Sequence, residues 1–251
     1  MRRSVVLALG LVALILLAGL GSYVFERQRQ DEIALAAERQ KEAELQRADQ
    51  SRAAADNLRR LEDQTSAEAL LQATLAKEDT TFYDDRDAAL KVSNERHDAS
   101  VNGSVTVAEA LTMATDEQSI VQRMGDEVQA LADTSNSIAD LFEKLYGADA
   151  VRSYRGHIQD LLTQRQLYLS HWSRAVGDVV DIYKLQENGQ PPGDTTNAEA
   201  MYQESDDDAT RGAAILRTVA TEKIALEKRL SDDLRNAKHQ AAQLSLGAPT
   251  Q

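Results

Sequence analysis

One periodicity constrains what this 251-residue chain can fold into. Read in alternating steps of three and four from Val107, the sequence gives Val107, Ala110, Ala114, Glu117, Val121, Met124, Val128, Leu131, Ser135, Ile138, Phe142 and Leu145, ten of twelve apolar. That spacing lays an apolar seam along one side of a helix, the pattern of a helix packed lengthwise against others. A strand, whose side chains alternate with period two, could not use it. Thr106, three residues before Glu109, forms a capping-box pair that opens the helix, and Gly147 closes it.

The same step continues after Asp149, read as the next N-cap. It passes through Ile158, Leu161, Arg165, Tyr168, Trp172, Ala175, Val179 and Ile182 and stops at "ENGQPPG". A connection as short as Gly147 and Ala148 obliges the two helices to lie antiparallel. Thr196 with Glu199 reads as a second capping box, opening a last helix through Ala209, Gly212, Leu216, Val219, Leu226, Leu230, Leu234, Ala237 and Ala241, with a phase slip expected at Lys223. Upstream, Thr65 and Glu68 are expected to start a first bundle helix through Leu71, Leu75, Phe82 and Leu90 to about Arg96, bent at Thr80 and Thr81.

Three prolines, twelve glycines and an aromatic share of 4 % suit long helices around a slim core. The absence of cysteine excludes disulfides, thiolate zinc sites and thiol catalysis. The expected fold is all-α, an elongated antiparallel up-down four-helix bundle over 65–245, with helices at about 65–97, 107–146, 149–187 and 196–245. Loops are expected at 98–106 and 187–196, and a disordered tail at 246–251.

Ahead of the bundle stands "VVLALGLVALILLAGLGSYVF", 21 uncharged residues at 5–25 that follow the basic N-terminus at 1–4. As a helix rising ~1.5 Å per residue it spans ~30 Å, the hydrocarbon thickness of a bilayer. A cleavable signal peptide shares the basic start, but the small pair at cleavage spacing, Gly19 and Gly21, is followed by apolar Tyr23, Val24 and Phe25. The expectation is therefore an uncleaved transmembrane signal-anchor. Arg2 and Arg3 precede it, and Arg27, Arg29, Arg39 and Lys41 follow. The short basic start and the long following domain favour a cytoplasmic N-terminus with an extracytoplasmic bundle, periplasmic or extracellular. Residues 26–64, rich in Ala, Gln, Glu and Arg, are expected to form a polar helical stalk, either a solvated single helix or a parallel coiled coil.

The net charge is −13, and the first 25 residues contribute only Arg2 and Arg3, so the rest of the chain carries −15. No nucleic-acid partner is expected on that field. Nucleotide-binding loops, nucleophile elbows and HExxH are missing, so the sequence assigns no catalytic, cofactor or metal residues, and the chain is expected not to be an enzyme. His157 and His171 share a register position but stand ~21 Å apart along a helix, too far to ligate one ion, and read as half-exposed flanking residues. "DDDATRG" at 206–212 places Arg211 where a calcium loop needs glycine, and reads as a solvated helix face.

Six of the eleven aromatics fall between Phe142 and Tyr183, together with Arg152, Arg155, Arg165 and Arg174. This is the composition of a bundle core with flanking arginines, and also that of a contact site, for which Arg155, Arg165, Tyr168 and Trp172 are the candidates. Arg165 falls on the core register and so needs a carboxylate, for which Glu127 and Glu222 are expected at its level, or else an acidic ligand. Counting inward from the turns sets Trp172 level with Met124, Gly212 and Phe82 or Tyr83.

No motif identifies a family. The expected function is that of a membrane-anchored, non-enzymatic interaction or scaffold protein of the cell envelope. Its partners would be the bilayer, through 5–25, and another protein or a second copy, through stalk or bundle. The alternative is an extracytoplasmic ligand-sensing bundle, similar in plan to the sensor bundles of bacterial receptors. With neither a second span nor an output domain after the last helix, it would signal through a separate membrane partner.

Overall fold

A computed structural model describes the backbone of residues 2–191 and 193–246 and the side chains of residues 26–191 and 193–245. Four helices account for nearly all of it: α1 (Arg2–Val101), α2 (Val107–Tyr146), α3 (Ala148–Glu187) and α4 (Thr196–Leu246), with no strand among the described residues. The side chains of the apolar run at 5–25 lie outside the described residues. So does most of the tail, of which Leu246 ends α4. Among the described residues no helix is long and apolar enough to cross a membrane.

The helix boundaries follow from local chemistry. Thr106 is extended (φ −77, ψ 162), its N–H donates to Glu109 Oε2 at 2.7 Å and its Oγ1 accepts from the Glu109 N–H at 3.3 Å, which is the expected capping box. Gly147 takes φ 84, a conformation that disfavours any side chain, and its N–H closes α2 on the Glu143 carbonyl at 2.8 Å. α3 begins on the next residue, Ala148, so Asp149 sits inside the first turn, bonded to Arg152, rather than at the cap. At the start of α4, Asp194 Oδ1 accepts from the Thr196 N–H at 2.9 Å and hydroxyl at 2.6 Å, while Glu199 accepts from the Thr195 hydroxyl at 2.8 Å. The Thr196 and Glu199 box expected there is not formed, because Asp194 reaches the free backbone donor first.

α1 does not start at Thr65 and is not interrupted at Thr80. Thr65, Thr80 and Thr81 each donate to the carbonyl four residues back, at 2.8, 2.8 and 3.1 Å, and so satisfy their hydroxyls without leaving the helix. Capping would have required an extended residue at that point.

The chain divides into two compact units, Arg60–Leu234 and a second that joins Met1–Arg59 with Arg235–Gln251. In the second unit every residue from 26 to 53 is exposed, including Ile33, Leu35 and Leu45, while Ala54 and Ala237 are buried.

In the first unit the four helices pack against one another around seams with heptad spacing. α1 turns Leu61, Phe82, Ala89 and Arg96 inward, and α2 contributes Ala110, Ala114, Glu117, Val121, Met124, Val128, Leu131 and Ile138. α4 contributes Ala198, Ser205, Val219, Leu226 and Leu230. Its seam does not slip. Lys223 holds the register position between Val219 and Leu226, half-buried, with Nζ 2.7 Å from Gln72 Oε1. A lysine stem can line an apolar seam while its ammonium finds a polar partner, which hides the period from a reading of apolar residues alone.

Cross-helix bonds give the direction of each helix. Between α1 and α2, Asp85 pairs with Arg123 and Glu78 with Thr134, the second number rising as the first falls. The same inversion relates Arg155 and Trp172 of α3 to Asp140 and Glu117 of α2, and His157 and His171 of α3 to Glu222 and Asp208 of α4. Between α1 and α3 the numbers rise together, Asp79 with Arg165 and Ser100 with Tyr183. The arrangement is up, down, up, down.

One layer differs from the count. Gly212 does not face Trp172; its nearest neighbour in the direction of a Cβ is Gln164, at 3.8 Å. The cause is the loop after α3. The chain reverses at once at Gly189 (φ 81), where Gln190 N–H returns to Leu185 O at 3.1 Å. The loop then lies back along α3, with Gly193 against Ile182 and Asn197 bonded to Asp178. α4 therefore starts about two turns further along α3 than a symmetric loop would put it.

Candidate functional site

Two polar constellations occupy the bundle interior. In the first, each helix gives one side chain. Glu117 of α2 is fully buried; its Oε2 accepts from Arg96 Nη2 of α1 at 2.9 Å, and its Oε1 accepts from Trp172 Nε1 of α3 at 2.8 Å and from the Tyr202 hydroxyl of α4 at 3.0 Å. Arg96 also reaches Tyr202 at 3.1 Å. A carboxylate with no access to water must have its charge matched and its lone pairs filled, and here both conditions hold. Burial alone would lower the Arg96 pKa, but the charge of Glu117 raises it. Burial pushes the Tyr202 hydroxyl well above its ordinary range, with the Glu117 charge adding to the effect, so it remains a donor.

The second constellation lines a cavity of about 70 Å³ between α1, α3 and α4, bordered by Phe82, Tyr83, Gln164, Arg165, Tyr168 and Gly212 among others. Arg165 is buried, donates from Nη2 to Asp79 Oδ1 at 2.6 Å and stacks 4.9 Å from the Phe82 ring centre. Its partner is thus Asp79, not Glu127 or Glu222. Glu222 is taken by Ser153 at 2.6 Å and His157 at 3.0 Å, and Glu127 lies against Asp85. The carboxylate comes from the parallel neighbour α1 rather than from α2 or α4.

The four candidate contact residues do not converge on one place. Arg165 and Tyr168 line the cavity. Trp172 packs edge-on to Tyr168, ring centres 5.3 Å apart, with its indole N–H turned away to Glu117. Arg155 sits on the outer side of α3, bonded to Asp140 at 2.7 Å and Glu143 at 2.6 Å.

Asp208 is a further departure from the sequence reading. Asp206 and Asp207 are exposed, but Asp208 is buried and accepts from His171 Nδ1 at 2.8 Å and Arg211 Nη1 at 3.1 Å. Its carboxylate is part of the bundle interior rather than of a solvated face. Among the described residues no group of three or more His, Asp or Glu side chains is placed to hold a metal ion.

Arg96, Tyr202 and Asp79 carry no signal in the sequence that marks them for this role. Glu117 had left a signal, since a carboxylate on an otherwise apolar seam demands a cation. Nothing in the sequence said which arginine would supply it. No known family model matches the chain, and no curated protein and no solved structure shows significant similarity to it.

Proposed function

We propose that this protein is a membrane-anchored, non-enzymatic helical bundle that acts as an interaction or scaffold protein on the extracytoplasmic side of a membrane. The observation that carries the reading is the sequence of segments: 21 uncharged residues at 5–25, then residues 26–53 with every side chain exposed, then a bundle whose interior charges are used internally. A helix whose side chains are all exposed over 28 residues presents a surface to another protein, to a second copy or to solvent. Crosslinking in native membranes followed by detergent solubilisation and purification is the test. A stoichiometric protein partner or homodimer captured through the 26–53 segment is the expected result; monomer alone would overturn the interaction role.

The cavity beside Arg165 favours a second reading, a ligand-sensing bundle that signals through a separate membrane partner. An interior built only for stability would be expected to fill such a space with side chains.

A further inference from the structure

The Arg165 side chain is 9 % exposed, yet the fold does not use up its hydrogen-bonding capacity. A guanidinium carries five N–H donors. Among the described residues Arg165 makes one hydrogen bond, from Nη2 to Asp79, whose own side chain is 35 % exposed. Gln164, the preceding residue, has a buried Oε1 with no hydrogen-bond partner and also borders the cavity. On the opposite wall α4 presents Gly212, where even a methyl group would meet nothing closer than 3.8 Å, so the space is not forced by a steric conflict. Asp208 is the acidic group on the lining, and its charge is already engaged by His171 and Arg211. Arg86, at the same cavity, adds a second cation, itself paired with Asp87 at 2.7 Å.

We infer that this cavity binds a short carboxylate, its carboxyl group on the free donors of Arg165 and its hydrocarbon tail against Phe82 and Tyr168. The chemistry follows from the lining: a planar guanidinium recognises a carboxylate through paired N–H bonds, and aromatic rings cover the apolar end. A space of about 70 Å³ admits a small molecule of this kind. This assignment rests on the ligand-sensing reading and deepens it.

Isothermal titration of the full chain in detergent micelles with propionate, 2-hydroxypropionate and propanamide tests it. Propionate and 2-hydroxypropionate should bind saturably, and the uncharged propanamide at least tenfold more weakly. Arg165→Met should weaken propionate binding at least tenfold with helicity unchanged, and Gly212→Leu, which places a side chain in the cavity, should do the same. Should Arg165→Met fail to fold, Arg165→Lys keeps the charge, loses the fork and should show the same weakening. Equal affinity for propionate and propanamide, or unaltered binding by the Arg165 variant, would overturn the carboxylate assignment and leave a sensing bundle standing. Absence of saturable binding by all three overturns the inference, and the sensing reading falls with it if no small molecule accompanies the protein from native membranes.

Discussion

Glu117 carries the strictest requirement of any side chain described, since it is inaccessible to solvent and bonded to residues of the three other helices. Replacing one member of a buried ion pair strands the other's charge, which typically costs ~3–5 kcal/mol. Glu117→Gln should therefore destabilise by about that amount in chemical denaturation, with Arg96 left uncompensated. The double change Arg96→Met with Glu117→Leu should cost much less than the two single changes together, because no charge is then stranded. Gly212 gives the opposite expectation. With its nearest Cβ contact at 3.8 Å and a helical position that alanine prefers, Gly212→Ala should stabilise by ~0.5–1 kcal/mol, read as a raised denaturation midpoint.

At the scale of helices, carboxylates decide how the α1 and α2 contact responds to pH. Arg123 bonds Asp85 through both Nε and Nη2, which holds the Asp85 carboxyl below its ordinary value. Glu127 has no such donor; burial, with Asp85 alongside, pushes it up to about 7. Between its ordinary value of 4.5 and about 7 the folded chain thus keeps a proton that the unfolded chain releases, and stability contributed by this site falls as pH rises through that window. Asp85 slopes the other way, but only as pH falls below its ordinary 3.8. Glu127→Gln should flatten the dependence between pH 4.5 and 7 and stabilise the protein at pH 7, measured by denaturant midpoints across the range.

How much of this was legible depends on what local sequence encodes. The extent of α2 and α3 could be read because each boundary is set locally, the start of α2 by Thr106 with Glu109 three residues on and the break between the helices by Gly147 alone. The seam of α4 was misread at Lys223 because amphipathic side chains serve a core position without looking apolar. The partner of Arg165 lies 86 residues away on α1, and the level of Gly212 depends on how the loop after α3 folds back, so neither is held by any period. Asp208 was placed on the surface because its neighbours are exposed and its own partner, His171, lies 37 residues away.

For the molecule as a whole, the proposed role depends on where the 21-residue apolar run resides, because an exposed helix from 26 to 53 has a different purpose on a membrane than free in solution. Carbonate washing of membranes, followed by protease added from outside and detection of the two ends of the chain, is the most direct measurement. Full-length protein should remain in the washed pellet, and outside protease should remove the bundle while the N-terminus stays protected. A mature chain that begins near Ser22 and washes into the supernatant, or a bundle that survives protease in sealed membranes, would contradict the proposed topology.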